Sequence, residues 1–184
     1  IFLTVGRLVP VKNIGLQIEA ISEVVKKYSE IELWVVGSGP EEEKIKTKIE
    51  KLGLGDKVKL LGQKSPEDLE KIYVEADAFL LTSDYEGWGM AIIEAASFAL
   101  PIIMTDVGCA GEVIKDKENG LIIPVGDKEK LVEAMIRIIE DEKLAQEIGT
   151  GASLAIKNLL SKEQTLQLYK ASWEKAMKNK KGNL

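Results

Sequence analysis

Apolar residues in this chain fall into short unbroken runs, and these alternate with stretches of three- and four-residue periodicity. Ile1-Phe2-Leu3-Thr4-Val5 is the first run and stops at Gly6, as expected of a buried strand. Ile14, Ile18, Ile21, Val25 and Tyr28 follow at steps of four and three, which is one face of a helix. Ile31 to Val36 predicts a second strand, stopped by Gly37-Ser38-Gly39-Pro40, with the proline suited to the first turn of the next helix. Ile45, Ile49 and Leu52 form the apolar stripe of that helix, and Gly53 suits its end. Val58 to Leu61 is a third strand, ended by Gly62. Ser65-Pro66-Glu67-Asp68 combines a capping serine, a proline and two early acids, and predicts a helix with Leu69, Ile72, Tyr73 and Ala76 on one face.

Ala78 to Leu81 reads as a fourth strand, and the loop Thr82 to Gly89 leads into a helix reaching about Ala99. Pro101 opens a fifth strand, Ile102 to Met104; a short turn of helix is predicted over Glu112 to Ile114, and a sixth strand over Leu121 to Ile123. Three helices, spanning about residues 127–178, close the chain. Leu131, Met135 and Ile138 mark the first, which starts at Asp127, and Leu144 and Ile148 mark the second. Ser161-x-x-Gln164 caps the third, which carries Leu168, Tyr169, Trp173 and Ala176.

Short apolar strands alternating with helices predict an α/β fold: a doubly wound, mostly parallel six-stranded sheet covered on both faces. Ligands of such sheets bind beyond the carboxyl ends of the strands. That rule selects five loops: Gly6 to Asn13, Gly37 to Gly39, Gly62 to Ser65, Thr82 to Gly89 and Thr105 to Glu112.

Composition narrows the chemistry. The length of 184 residues fits a single domain, and 45% apolar with 30% charged residues is globular. A net charge of −5 disfavours nucleic acid as a partner, and the basic tail Lys178 to Lys181 reads as a solvated end. The chain has one cysteine, Cys109, and no transmembrane run or signal peptide, so a cytoplasmic location is expected, with any membrane contact made through a partner domain. With no histidine, Ser-His and Cys-His pairs and most zinc sites are excluded, and no Asp-x-Asp is present to hold a metal-bound diphosphate. The chain starts inside an apolar run without a methionine, as a fragment of a longer protein would.

The five loops hold the polar and glycine-rich segments. Gly6-Arg7-Leu8-Val9-Pro10-Val11-Lys12-Asn13 places two cations near one strand end, suited to a diphosphate unless both are simply solvated. Val36-Gly37-Ser38-Gly39-Pro40 permits a tight turn and close approach of backbone, though it lacks the third glycine of the dinucleotide fingerprint. Asp84-Tyr85-Glu86-Gly87-Trp88-Gly89-Met90-Ala91-Ile92-Ile93-Glu94 is the most informative stretch. Its glycines free N–H groups at a helix start, and its two carboxylates can each accept hydrogen bonds from paired hydroxyls, Glu94 from a ribose and Glu86 from a hexose. Backbone near Gln63 and Lys64 can read the edge of a base, or Lys64 is a surface lysine. Cys109 reads as a small packed residue, because no base stands near it in sequence.

Arg7 with Lys12, Gly37-Ser38-Gly39, and Glu86-x7-Glu94 followed by Ala99-Leu100-Pro101 resemble, in order, the C-terminal domain of group 1 glycosyltransferases, also called glycosyltransferase family four. The resemblance covers nearly the whole chain. It implies a Rossmann-like lobe of the two-lobed GT-B architecture that binds a nucleotide-diphosphate sugar, UDP-linked first and GDP-linked second. Arg7 and Lys12 would hold the diphosphate and stabilise its growing charge. Glu86 would hold the transferred sugar, Glu94 the ribose, and Gly87, Trp88, Gly89 and Met90 would contact sugar and phosphate. With Gly6, Gly37, Gly39 and Lys64, these form the expected site. The family transfers a hexosyl group with retention and usually without a metal.

Its acceptor-binding N-terminal lobe, which would take a sugar or lipid-linked glycan, is absent, so the fragment is expected to bind nucleotide but transfer little sugar. The helix around Trp173 has the pattern to pack on that lobe. The chain departs from the family at Cys109, where glycine is usual, at Gly111, where proline is usual, and at Ala99, often glycine. A non-catalytic nucleotide-sugar-binding lobe and a sugar-nucleotide epimerase are the alternative readings. A nicotinamide dehydrogenase is disfavoured because Gly-x-Gly-x-x-Gly does not follow the first strand.

Overall fold

The computed structural model describes residues 1–159 and 162–181. Six strands form one sheet: β1 (Phe2–Val5), β2 (Leu33–Val36), β3 (Val58–Gly62), β4 (Ala78–Leu81), β5 (Ile102–Thr105) and β6 (Leu121–Ile123). Every pairing is parallel, and the spatial order is β3-β2-β1-β4-β5-β6. Between the strands run α1 (Ile14–Val24), α2 (Glu42–Lys51), α3 (Pro66–Glu75) and α4 (Met90–Ser97); α5 (Lys128–Glu140), α6 (Glu142–Lys157) and α7 (Lys162–Lys181) follow.

The strands are mostly apolar because helices cover the sheet on both sides, and the edge strand β3 alone among them exposes a charged residue, Lys59. Phe2, Leu33, Val35, Val58, Leu80 and Ile103 face a cluster completed by Ile18 and Ile21 of α1, Ile45 and Ile49 of α2, and Leu131 and Met135 of α5. The alternate residues Leu3, Val36, Phe79, Ile102 and Met104 face a second cluster with Tyr73 of α3 and Ile92 and Ala96 of α4. Helix α6 spans the two, with Ile148 in the first and Ala152 in the second.

Local signals place most boundaries as expected. Ser65 accepts from the Asp68 N–H at 3.2 Å and caps α3, and Asp127 accepts from Lys130 N–H at 2.9 Å and caps α5. The expected cap Ser161 lies outside the described residues.

Four details differ from expectation. Helix α2 begins at Glu42, not Pro40: Pro40 and Glu41 form a turn in which Glu42 N–H donates to Gly39 O at 3.1 Å and Glu41 N–H donates to Leu8 O at 3.0 Å. Glu112 and Val113 form a turn and Ile114 an isolated bridge with Ala110, not a helix. The buried Asn119 amide donates to Val113 O at 2.9 Å, and Gly111 N–H takes Ile114 O at 2.7 Å, so these carbonyls have no helical partner. Helix α4 stops at Ser97, and Ala99 then adopts a left-handed backbone with φ +56°. The basic tail is helical through Lys181.

Helix α7 leaves Leu166, Leu168, Tyr169, Trp173 and Met177 exposed. Among the described residues, no helix is long and apolar enough to cross a membrane.

Candidate active site

Strand order reverses direction between β1 and β4, so the loops after these two strands diverge to opposite faces and leave a crevice at their carboxyl ends. The loop after β1 makes a 3-10 turn over Pro10–Lys12 and ends at Asn13, whose left-handed backbone (φ 48°) redirects the chain into α1. The loop after β4 runs to Gly89, which caps α4 with φ 89°. The two loops are tied together: Asp84 N–H donates to Val11 O at 2.8 Å, and the Asn13 amide donates to Asp84 at 3.1 Å. Below them the Thr82 hydroxyl meets the carbonyls of Lys12 and Asn13, each at 3.2 Å. The fully buried Gln17 amide donates to Thr82 at 2.9 Å and to Thr4 at 3.3 Å.

Across this crevice Lys12 Nζ donates to Glu86 Oε1, an ion pair only 25% and 13% exposed at its two side chains. The Ser83 hydroxyl donates to the same oxygen at 2.7 Å. Glu86 Oε2 has no hydrogen-bond partner among the described residues. One turn into α4, Glu94 has the same division. Its Oε2 accepts from the Tyr73 hydroxyl at 3.0 Å, and its Oε1 has no partner among the described residues. Each carboxylate is therefore anchored by one oxygen, and its other oxygen has no partner among the described residues.

Two cavities of about 460 Å³ open at these strand ends and share Val5 and Gly6. One is lined by Lys12, Glu86, Trp88, Gly89, Met90 and Glu94. The other is lined by Arg7, Gly37, Ser38, Gln63, Lys64 and Leu69. The exposed guanidinium of Arg7 has no ion-pair partner among the described residues.

The expected residues thus divide between two adjoining spaces. Carboxylates and Lys12 occupy one, Arg7 and Lys64 the other, with Gly6 common to both. Gly39 and Gly87 line neither. The turn at Gly37 (φ +134°) serves backbone packing: a Cβ there would stand 1.8 Å from Gly6 O, so only glycine lets the β2 loop close on the β1 loop.

Tyr73, Ser83, Thr82 and Gln17 are the residues that sequence reading did not assign to the site. In sequence Tyr73 marks only an apolar helix face, and nothing in its spacing points to the carboxylate it meets. Burial and the adjacent Glu94 charge push the Tyr73 phenol far above its ordinary range, so it remains a donor. Burial raises the Cys109 thiol to about 11, which suits a packed side chain and not a nucleophile.

The family profile described as Glycosyl transferases group 1 matches residues 1–154. The chain belongs to this family. As a group 1 glycosyl transferase it is 33% identical over 146 residues to the amylovoran biosynthesis glycosyltransferase AmsK of Erwinia amylovora, an alignment covering 76% of this chain and 36% of AmsK. It is 34% identical over 149 residues to the poly(glycerol-phosphate) alpha-glucosyltransferase of Bacillus subtilis, covering 80% of this chain and 22% of that protein. A crystal structure of a mutant S. aureus TarM in complex with Fondaparinux, alpha-GlcNAc-glycerol and UDP superposes with a TM-score of 0.85 at 29% identity, covering 91% of this chain and 34% of TarM. The chain therefore spans less than half the length of these relatives, and its fold is that of the GT-B glycosyltransferases.

Proposed function

We propose that the chain is the donor-binding lobe of a retaining hexosyltransferase and takes a nucleotide-diphosphate sugar, with UDP as the first candidate carrier and GDP as the second. The observation that carries this reading is the pairing of cations with half-committed carboxylates around two joined cavities. The diphosphate lies by the shared Gly6, between Arg7 on one side and Lys12 on the other. Glu94 accepts from the ribose hydroxyls and Glu86 from the hexosyl group, each through its uncommitted oxygen. The base lies toward Gln63 and Lys64, and backbone from Gly87 to Met90 contacts sugar and phosphate.

Transfer breaks the bond between the sugar's anomeric carbon and the diphosphate oxygen, and negative charge grows on that oxygen. Arg7 and Lys12 offset it with fixed positive charge, without a protein-bound metal. Removing one such donor from a catalytic site typically lowers the rate ~10²–10³-fold. The acceptor, a sugar or lipid-linked glycan, enters from a second lobe that this chain does not include. The family membership and the UDP bound in TarM support the donor assignment.

Calorimetric titration of the chain with UDP, GDP and ADP tests the reading. Saturable binding of one nucleotide, weakened by both Glu94→Ala and Arg7→Ala, is expected. A folded chain that binds none of the three refutes it.

A further inference from the structure

We propose that Tyr73 is a positioning residue for nucleotide recognition: it holds the Glu94 carboxylate in the orientation that accepts the ribose hydroxyls, without touching the ligand itself. The proposal rests on the donor-lobe reading above.

Tyr73 is only 2% exposed and lines neither cavity, whereas Glu94 is an exposed residue at the wall of one. The hydroxyl that joins them spans 21 residues and two helices, α3 and α4. A carboxylate on an exposed helix face otherwise samples several rotamers, and ordering it on binding costs free energy. Tyr73 removes that cost in advance, because its own ring is fixed. It stacks on Phe98 with centroids 5.1 Å apart and planes at 9°, and it packs at 6.2 Å against Phe79 of β4.

The geometry also separates the two oxygens. Oε2 is taken by the phenol, and Oε1 is left to the ligand. Because the phenol is buried beside a carboxylate, it keeps its proton through the neutral and mildly alkaline range and so remains a donor to Glu94. A hydroxyl that served core packing alone would not need to end on this carboxylate. The stacked ring already fills the space, and a phenylalanine would do so without a buried polar group to satisfy.

The substitution Tyr73→Phe keeps the ring and removes only the donor. The test is calorimetry with UDP and 2′,3′-dideoxy-UDP, which lacks both ribose hydroxyls. Wild-type chain should prefer UDP. Tyr73→Phe should lower UDP affinity roughly threefold to fivefold, the scale of ordering one side chain on binding, and leave dideoxy-UDP affinity unchanged. The ratio of the two affinities is the readout, since a partly unfolded sample lowers both alike. In a Glu94→Ala background the same substitution should change neither affinity, which closes a double-mutant cycle. Equal proportional losses for both nucleotides, or no change in the ratio, would overturn the positioning role. If the wild-type chain binds both nucleotides equally or binds neither, the assignment of Glu94 to the ribose fails before any substitution is made, and the proposal falls with it.

Discussion

Gly108 is the position where the loop after β5 presses on the segment that carries Glu86 and Trp88. Its backbone is left-handed (φ +61°), and a Cβ built on it would stand 2.7 Å from Trp88 O and 3.0 Å from Glu86 Cβ. The next residue, Cys109, donates its N–H to Trp88 O at 3.0 Å. Gly108→Ala therefore incurs two costs. A left-handed alanine costs about 1–2 kcal/mol. Separating backbone atoms that cannot yield, with the loss of the Cys109 bond, costs about 1–3 kcal/mol more.

Gly111, three residues on, isolates the first cost: it too is left-handed (φ +79°), but a Cβ there meets nothing within 4 Å. Gly111→Ala should lower unfolding free energy by roughly 1 kcal/mol, since part of the backbone strain is offset by a stiffer unfolded chain. Gly108→Ala should lower it by roughly 2–5 kcal/mol. Urea unfolding followed by circular dichroism gives both values. UDP affinity should fall in Gly108→Ala alone, because only that change displaces the Glu86-to-Trp88 segment. Equal destabilisation by the two alanines would refute the idea that contact with Trp88 and Glu86 sets the requirement for glycine.

Further outcomes follow from single residues. Glu86→Gln releases Lys12 from its partner while leaving an acceptor for Ser83; UDP without a sugar should bind roughly threefold more tightly, the scale of one ion pair, and the gain from an attached hexose should shrink. A drop in UDP affinity, measured by calorimetry, would sink that account. Cys109 should resist iodoacetamide at pH 8 in native protein and react once urea is added. Its pKa, raised from 9.0 to about 11, means that the unfolded chain releases this proton first as pH rises. The native advantage held below pH 9 should therefore decline between pH 9 and 11, with a smaller decline in Cys109→Ala, read from urea midpoints. Ala99→Gly should raise stability by about 0.5–1 kcal/mol, because Ala99 sits at φ +56°, and a lower urea midpoint would contradict this.

The sheet was legible because strands covered on both faces are largely apolar, with Lys59 of the edge strand β3 the exposed exception, and each run ends where glycine or a polar loop begins. Helix starts at Ser65 and Asp127 were legible from their side chains, since a cap is a local event. What escaped was non-local. The turn at Glu112 and Val113 depends on Asn119 reaching back to Val113, and no local pattern in residues 112–114 announces it. The departures from the family pattern also acquire physical content. Ala99 and Gly111 both have positive φ, which glycine adopts freely and which proline, with φ fixed near −65°, cannot adopt; the loop at Gly111 therefore follows a path that the usual proline would forbid. Of the candidate site, Arg7, Lys12, Glu86 and Glu94 were legible from residue type and spacing. Tyr73 and Ser83, which fix one oxygen of each carboxylate, were not, because a tyrosine on an apolar helix face and a serine after a strand carry no distinguishing signal.

The placement of Lys12 and Glu86 argues for a site built before any ligand arrives. These residues lie 74 positions apart, on loops from adjacent strands, and each loop is tied down from the core side. Buried hydroxyls do this at the strand ends. Thr82 engages the carbonyls on either side of the Lys12–Asn13 peptide, Thr105 donates to Ser83 O at 2.7 Å, and Gln17 joins Thr4 to Thr82. A buried polar group must find a partner or incur a desolvation cost of a few kcal/mol, so moving either loop would strand these hydroxyls. Had the Lys12–Glu86 pair been an adventitious contact between mobile surface loops, the residues beneath it would be apolar or solvated. Instead they form a hydrogen-bonded network reaching from the sheet to the two residues that meet across the crevice, with Gln17 Oε1 the one buried side-chain atom among the described residues left without a partner. The cost of holding a cation beside a half-committed carboxylate is thus met during folding, and a ligand that needs both finds them already in place.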